Sequence, residues 1–242
     1  MIALKNIVHT IGRHRQKTIL RDVSATIRPG TLTAIMGLNG SGKTTLLNIM
    51  SGITSPTSGE VRVAKKNSRQ LAAREKARLV SHVPQDFNTD FPFTVMEFIL
   101  MSRFAWQRGW SPDASDQALA SATLNRLEIG SFGPRQLSSL SGGEKQRVLI
   151  ARTLLQNTPI ILLDEPLNHL DIKSRQFILN LLHAENHSAG KTIVAVLHDP
   201  VEVRRYFDEV LLLKNGALAF HGPVSEGLSP QKIREVFEIE TP

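Results

Sequence analysis

The 242-residue chain contains no cysteine, which excludes disulfides and thiolate metal sites and leads us to expect a reducing compartment. Aromatic residues make up only 5% of it, and no run of five or more Lys or Arg occurs. Base stacking and phosphate neutralisation along a strand therefore have little to rest on, and no nucleic-acid partner is expected. Apolar runs such as Ile160-Ile161-Leu162-Leu163 fall far short of the ~20 residues that a spanning helix needs. The N-terminus lacks the basic region, apolar stretch and cleavage site of a secretory signal. No internal repeat or low-complexity tail is visible.

What is present reads as an ordinary globular protein, with 41% hydrophobic and 21% charged residues. The length fits one large α/β domain with room for an inserted subdomain. Lys and Arg number 29 against 22 Asp and Glu, a basic balance that suits an anionic membrane surface or solubility better than nucleic acid.

Patterning divides the chain. Met1–His9 and Ile19–Ile27 read as strands, Thr31–Met36 as a short buried strand and Lys43–Met50 as a helix ending at Ser51-Gly52. Brief strands are expected at Val61–Val63 and Leu79–Val83. From about Asp86 to Gln156 the pattern turns helical, with helices over Thr94–Arg103, Asp113–Leu127 and Gly143–Leu155 and a surface loop over Phe104–Pro112. Strands at Ile160–Leu163, Thr192–Leu197 and Val210–Leu213 then alternate with helices at Ile172–Asn186 and Pro200–Tyr206. Ala217–His221 and a terminal helix near Pro230–Phe237 close the chain. Apolar strands alternating with helices imply a mostly parallel sheet covered on both faces.

Gly37-Leu38-Asn39-Gly40-Ser41-Gly42-Lys43-Thr44-Thr45 matches G-x-x-x-x-G-K-[ST] between an apolar strand and a helix start. Glycines there let successive N–H groups turn inward, and with the helix N-terminus they form a phosphate cradle. In such a loop Lys43 bridges the β- and γ-phosphates, Thr44 offers its hydroxyl to Mg²⁺, and Thr45 contacts the α-phosphate. Ile160–Leu163 ends in Asp164-Glu165-Pro166. A parallel strand delivers those acids to the ligand edge of the sheet, where Asp164 would hold Mg²⁺ and Glu165 would orient or deprotonate the attacking water. His198 ends another apolar strand expected on the same edge. Leu140-Ser141-Gly142-Gly143-Glu144 opens an apolar-periodic helix; it is both a capping box and an N-terminus suited to an anion.

The loop at Gly37 and the motif at Leu140, in this order, resemble the nucleotide-binding subunit of an ATP-binding-cassette (ABC) transporter. The resemblance covers essentially the whole chain and implies a P-loop NTPase cassette. Residues 1–85 and 157–242 would form a RecA-like core with an antiparallel β subdomain, and residues 86–156 a helical signature subdomain. It implies ATP and Mg²⁺, with Gln85 as a withdrawable Mg²⁺ ligand and His198 as the switch histidine. Ser141, Gly142 and Gly143 would complete the site of the opposite subunit, and Leu170-Asp171 would run along that interface. One cassette per chain then implies a head-to-tail pairing with a second copy or a close homologue.

Val83-Pro84-Gln85, Phe93-Thr94-Val95, His169-Leu170-Asp171 and Leu197-His198-Asp199 are similar to the ATPases of metal-chelate importers. That implies permease subunits, an external substrate-binding protein and a place at the cytoplasmic face of the inner membrane. A permease helix would dock between Gln85 and Thr94–Arg103, with Phe87, Phe91, Phe93 and Trp106 as groove or, equally, core residues. Three positions depart from the family. Ile11, flanked by His9 and His14, stands where an aromatic usually stacks on adenine. Leu38 replaces a common proline. Pro166-Leu167-Asn168 replaces Pro-Thr-Ser, which is expected to bear on the dimer interface. Import of an iron siderophore is the leading expectation, with haem, cobalamin or another metal, and a soluble cofactor-assembly ATPase, as alternatives.

Overall fold

The computed structural model describes residues 1–12, 15–85, 87, 92–107 and 113–238. Ten strands are found among them: β1 (Ile2–Ile11), β2 (Lys17–Ile27), β3 (Leu32–Gly37), β4 (Ser58–Val63), β5 (Lys66–Asn67), β6 (Val80–Val83), β7 (Ile160–Asp164), β8 (Thr192–Val196), β9 (Glu209–Lys214) and β10 (Ala217–Pro223). The helices are α1 (Lys43–Ser51), α2 (Ala73–Leu79), α3 (Val95–Leu100), α4 (Ala114–Arg126), α5 (Gly142–Leu155), α6 (Ile172–Ala189), α7 (Pro200–Tyr206), α8 (Val224–Gly227) and α9 (Pro230–Phe237). No helix among the described residues is long and apolar enough to cross a membrane.

Strands β2-β1-β4-β5 form an antiparallel sheet, and β10-β9-β3-β8-β7-β6 form the central sheet. The central sheet is parallel apart from β10, which returns antiparallel to β9. Its inner strands β3, β7 and β8 are mostly apolar because both faces are covered. Side chains alternate between two cores: Ile160 and Leu162 join the core under α1 and the antiparallel sheet, while Ile161 and Leu163 join the one under α3 to α6. Register is tied at the start of β7, where Thr158 Oγ1 lies 2.9 Å from Ser81 Oγ and 2.8 Å from the Ile160 carbonyl. At the other end, Val83 pairs with Leu163 and Asp164 with Val196. The C-terminal ends of β3, β8, β7 and β6 therefore share one edge.

Several expected elements are corrected. Leu79 does not begin a strand; it ends α2, a helix that periodicity did not suggest because none of its residues is fully buried. Glu75 folds back to accept from the Ala72 N–H at 3.4 Å, fixing that helix start. The helix expected over Thr94–Arg103 stops at Leu100 and tightens into a 3₁₀ turn over Met101–Ala105. Phe104 and Ala105 thus belong to that turn, while residues 108–112 of the expected loop lie outside the described residues. Ala217–His221 proves to be part of β10.

Helices α3, α4 and α5 pack together, and ion pairs tie them to the core. Arg103 meets Asp116 at 2.7 Å, and Arg126 meets the buried Glu185 of α6 at 2.5 Å. Lys191 holds the other Glu185 oxygen at 2.6 Å. Burial pushes the Glu185 carboxyl up, but these two cations more than offset it and hold it below the usual value. Phe87 sits against Phe98 with ring centroids 4.9 Å apart, and Phe87 and Phe93 both pack on the core. Trp106 is partly exposed, and its indole N–H donates to the Gln156 carbonyl at 2.7 Å. Phe91 lies outside the described residues.

Candidate active site

Gly37 leaves β3 at φ 148° and Gly42 stands at the N-terminus of α1 at φ 100°. Both backbones lie where a side chain would be strained. A Cβ on Gly37 would come within 2.2 Å of the Leu213 carbonyl oxygen, so the loop rests directly on β9. Lys43 is buried and donates to the carbonyls of Gly37 and Leu38, each at 3.0 Å. Burial lowers its pKa, while Glu165 and Asp164 act to raise it. The Lys43 ammonium thus spans the mouth of its own loop.

Asp164 ends β7 almost fully buried, and neither of its carboxylate oxygens has a hydrogen-bond partner. Burial raises its pKa to about 6, with Thr44 and Lys43 pulling the other way. Thr44 Oγ1 stands 3.5 Å from Gln85 Oε1. A buried carboxylate beside the Thr44 hydroxyl, together with an amide oxygen, forms an all-oxygen set that suits Mg²⁺.

Glu165 adopts a left-handed backbone, φ 49°, which few side-chain-bearing residues favour. The turn that follows holds it there: the Asn168 N–H donates to the Glu165 carbonyl at 3.2 Å. Oε1 of Glu165 lies 2.8 Å from His198 Nε2. Oε2 accepts from Asn168 Nδ2 at 2.5 Å. Burial pushes the Glu165 carboxyl up, but the bonds from His198 and Asn168 more than offset this and leave it below the usual carboxylate value. Two adjacent acids thus sit in opposite environments, one raised by burial, the other lowered and held by two donors.

These groups face one cleft of ≈ 570 Å³ lined by Asn39, Gly40, Gly42, Lys43, Thr44, Thr45, Gln85, Glu165 and His198, together with Lys17 and Ile19 of β2. The structure therefore brings the predicted phosphate loop, acid, histidine and glutamine together. Leu38 is partly exposed and contributes its carbonyl to Lys43, and Ser41 Oγ is buried without a partner. The predicted adenine neighbours fare differently. Neither His9 nor Ile11 lines the cleft, and His14 lies outside the described residues. Lys17 and Ile19 occupy that wall. Sequence reading missed them because no motif marks them; only the pairing of β1 with β2 swings them over the loop.

Ser141, Gly142, Gly143, Glu144, Arg147, His169 and Asp171 line a separate cleft of ≈ 560 Å³. It shares no lining residue with the first. Ser141 caps α5 in a reciprocal box: its Oγ and N–H each lie 2.8 Å from Glu144 Oε2. Those donors and Arg135 drive the Glu144 carboxyl down to about 2. Asp171 caps α6 by accepting from the Ser174 N–H at 2.7 Å. A Cβ on Gly143 would stand 3.1 Å from the His169 carbonyl oxygen, so the glycines let the segment after Glu165 lie close on the start of α5. Gln146 of the same helix donates to the Pro166 carbonyl at 3.0 Å.

The family model described as ABC transporter matches residues 20–168, from β2 through the phosphate loop and the α5 cap to Asn168. The chain belongs to the ABC transporter family. This ABC protein is 37% identical over 235 residues to the hemin import ATP-binding protein of Thermobifida fusca, covering 96% of this chain and 81% of that one. It is 32% identical over 242 residues to the petrobactin import ATP-binding protein of Bacillus subtilis, covering 100% and 94%. The cobalamin import ATP-binding protein of Halobacterium salinarum is 37% identical over 220 residues, and there the chain spans about half of its relative, 91% against 55%. Among solved structures, a dimeric ATP-binding cassette in a post-hydrolysis state with ADP and Pi superposes with a TM-score of 0.86 at 33% identity, covering 93% and 99%.

Proposed function

We propose that the chain is the ATP-hydrolysing subunit of an importer for metal chelates, and that its cargo is an iron siderophore. The observation that carries the hydrolytic reading is the convergence of the Lys43 loop, Asp164, Gln85 and the His198–Glu165 pair on one sheet edge. Names of relatives support the substrate class: hemin, petrobactin and cobalamin import proteins all handle metal complexes.

The cradle of Gly37 to Thr45, with Asn39 and Ser41 in it, binds the triphosphate, and Lys43 exchanges its two carbonyl partners for phosphate oxygens. Glu165 accepts a proton from the water that attacks the γ-phosphorus, and His198 keeps the carboxylate aimed. As that water bonds to phosphorus, the bond to the bridging oxygen breaks and ADP leaves. Thr44, Gln85 and Asp164 hold Mg²⁺, which, when bound, neutralises phosphate charge. Ser141, Gly142 and Gly143 serve the nucleotide of a second copy or close homologue, with Asp171 at the interface. The two clefts of one chain support this, because they share no lining residue.

Residues 1–85 and 157–242 act as the core of this single domain, with 86–156 as its helical signature subdomain. Permease subunits would receive the motion at the cytoplasmic face of the membrane, with an external binding protein delivering cargo. Glu165→Gln tests the hydrolytic reading: ATP turnover is expected to fall at least 100-fold while an ATP-bound dimer accumulates on gel filtration. Wild-type phosphate release by that variant sinks it.

A further inference from the structure

We infer that Asn168 is a positioning residue for hydrolysis, the donor that fixes the second carboxylate oxygen of Glu165 and thereby the direction from which its other oxygen meets water. The inference deepens the hydrolytic reading and rests on it.

A carboxylate held by one donor can still turn about its terminal torsion, which is broad and roughly two-fold. His198 reaches only Oε1, at 2.8 Å. Asn168 Nδ2 reaches Oε2 at 2.5 Å, from the opposite side of the group. With both oxygens held, the plane of the carboxylate is set by two elements, the end of β8 and the turn after β7. The turn is itself closed by the Asn168 N–H on the Glu165 carbonyl, so one residue fixes both the left-handed backbone of Glu165 and its side chain. A short side chain with an N–H at the δ position spans that turn back onto Oε2; a serine hydroxyl ends one bond earlier and falls short. This is the third place of the Pro166-Leu167-Asn168 departure, and its consequence lies inside the chain's own catalytic cleft. Among the described residues the hydrogen bonds of Asn168 go to Glu165, and it is not among the residues lining the cleft, so losing its donor affects the orientation of the water-activating group and leaves the ATP cradle intact.

The test compares steady-state ATP hydrolysis by the full chain and by Asn168→Leu, Asn168→His and Glu165→Gln, alone and combined. Asn168→Leu keeps the branched shape and the backbone bond but removes the donor. Its kcat is expected to drop roughly 10- to 100-fold with KM for ATP within about twofold, the scale of one hydrogen bond to a charged group. Asn168→His restores an N–H at the same reach through Nδ1 and is expected to recover most of kcat. In the Glu165→Gln background, Asn168→Leu is expected to change nothing further. Wild-type kcat in Asn168→Leu, parallel loss of kcat and KM, or no recovery with histidine overturns the assignment while leaving Glu165 in its role. Wild-type turnover in Glu165→Gln alone removes the underlying reading, and the role of Asn168 with it.

Discussion

Protonating His82 is expected to destabilise this protein, and replacing it is expected to remove that sensitivity. His82 sits in β6, opposite Leu162, with Nε2 buried and without a hydrogen-bond partner. Burial lowers its pKa from 6.5 to about 4. The folded chain therefore binds this proton later than the unfolded chain as pH falls. The stabilisation from neutral His82 is complete above pH 6.5, declines through the window from 6.5 to 4, and is fully lost below it. At 1.36 kcal/mol per pH unit, the loss is about 2 kcal/mol at pH 5 and approaches about 3 kcal/mol below pH 4. Urea denaturation of the wild type and of His82→Leu at intervals between pH 7.5 and 4 measures it, since other titrating groups cancel in the difference. An NMR titration of the His82 ring gives the midpoint directly. Parallel stability curves for the two proteins, or a ring that titrates near 6.5, would refute the argument.

Lys43→Ala is expected to weaken ATP binding at least 100-fold by calorimetry while leaving the fold intact, because the ammonium's only hydrogen-bond partners in the described structure are two loop carbonyls. Ser141→Arg and Glu165→Gln protomers, each inactive alone, are expected to regain phosphate release on mixing, at the one site that joins an intact Glu165 to an intact Ser141 of its partner; no recovery on mixing would end the idea that this motif serves a partner. Lys191→Met is expected to cost about 2 kcal/mol in thermal or urea unfolding, since buried Glu185 keeps Arg126 but loses its 2.6 Å partner.

Much of this fold is legible because buried parallel strands write themselves as short apolar runs. Ile160–Leu163 and Thr192–Leu197 end within a residue of their structural limits, and the acids and histidine that follow land on one edge. The α2 helix was not legible, because a helix that buries no residue completely leaves no stripe. Lys17 and Ile19 were not legible as cleft residues, since only tertiary pairing carries β2 over the loop. Asn168 read as an interface departure, for its bond to Glu165 depends on a left-handed turn that a pattern of residue types does not reveal.

Because β7 is apolar on both faces, hydrophobicity alone is indifferent to a one-residue slip: Ile and Leu would simply trade compartments. The hydroxyl contact of Thr158 with Ser81 behaves instead like the zero mark of a ruler. A slip at that mark would shift Asp164 by about 3.3 Å, the rise of one residue in a strand. The reach of the acids into the cleft is thus gauged from the far end of the sheet. A substitution at Thr158, six residues before Asp164, would act on chemistry as an error of length.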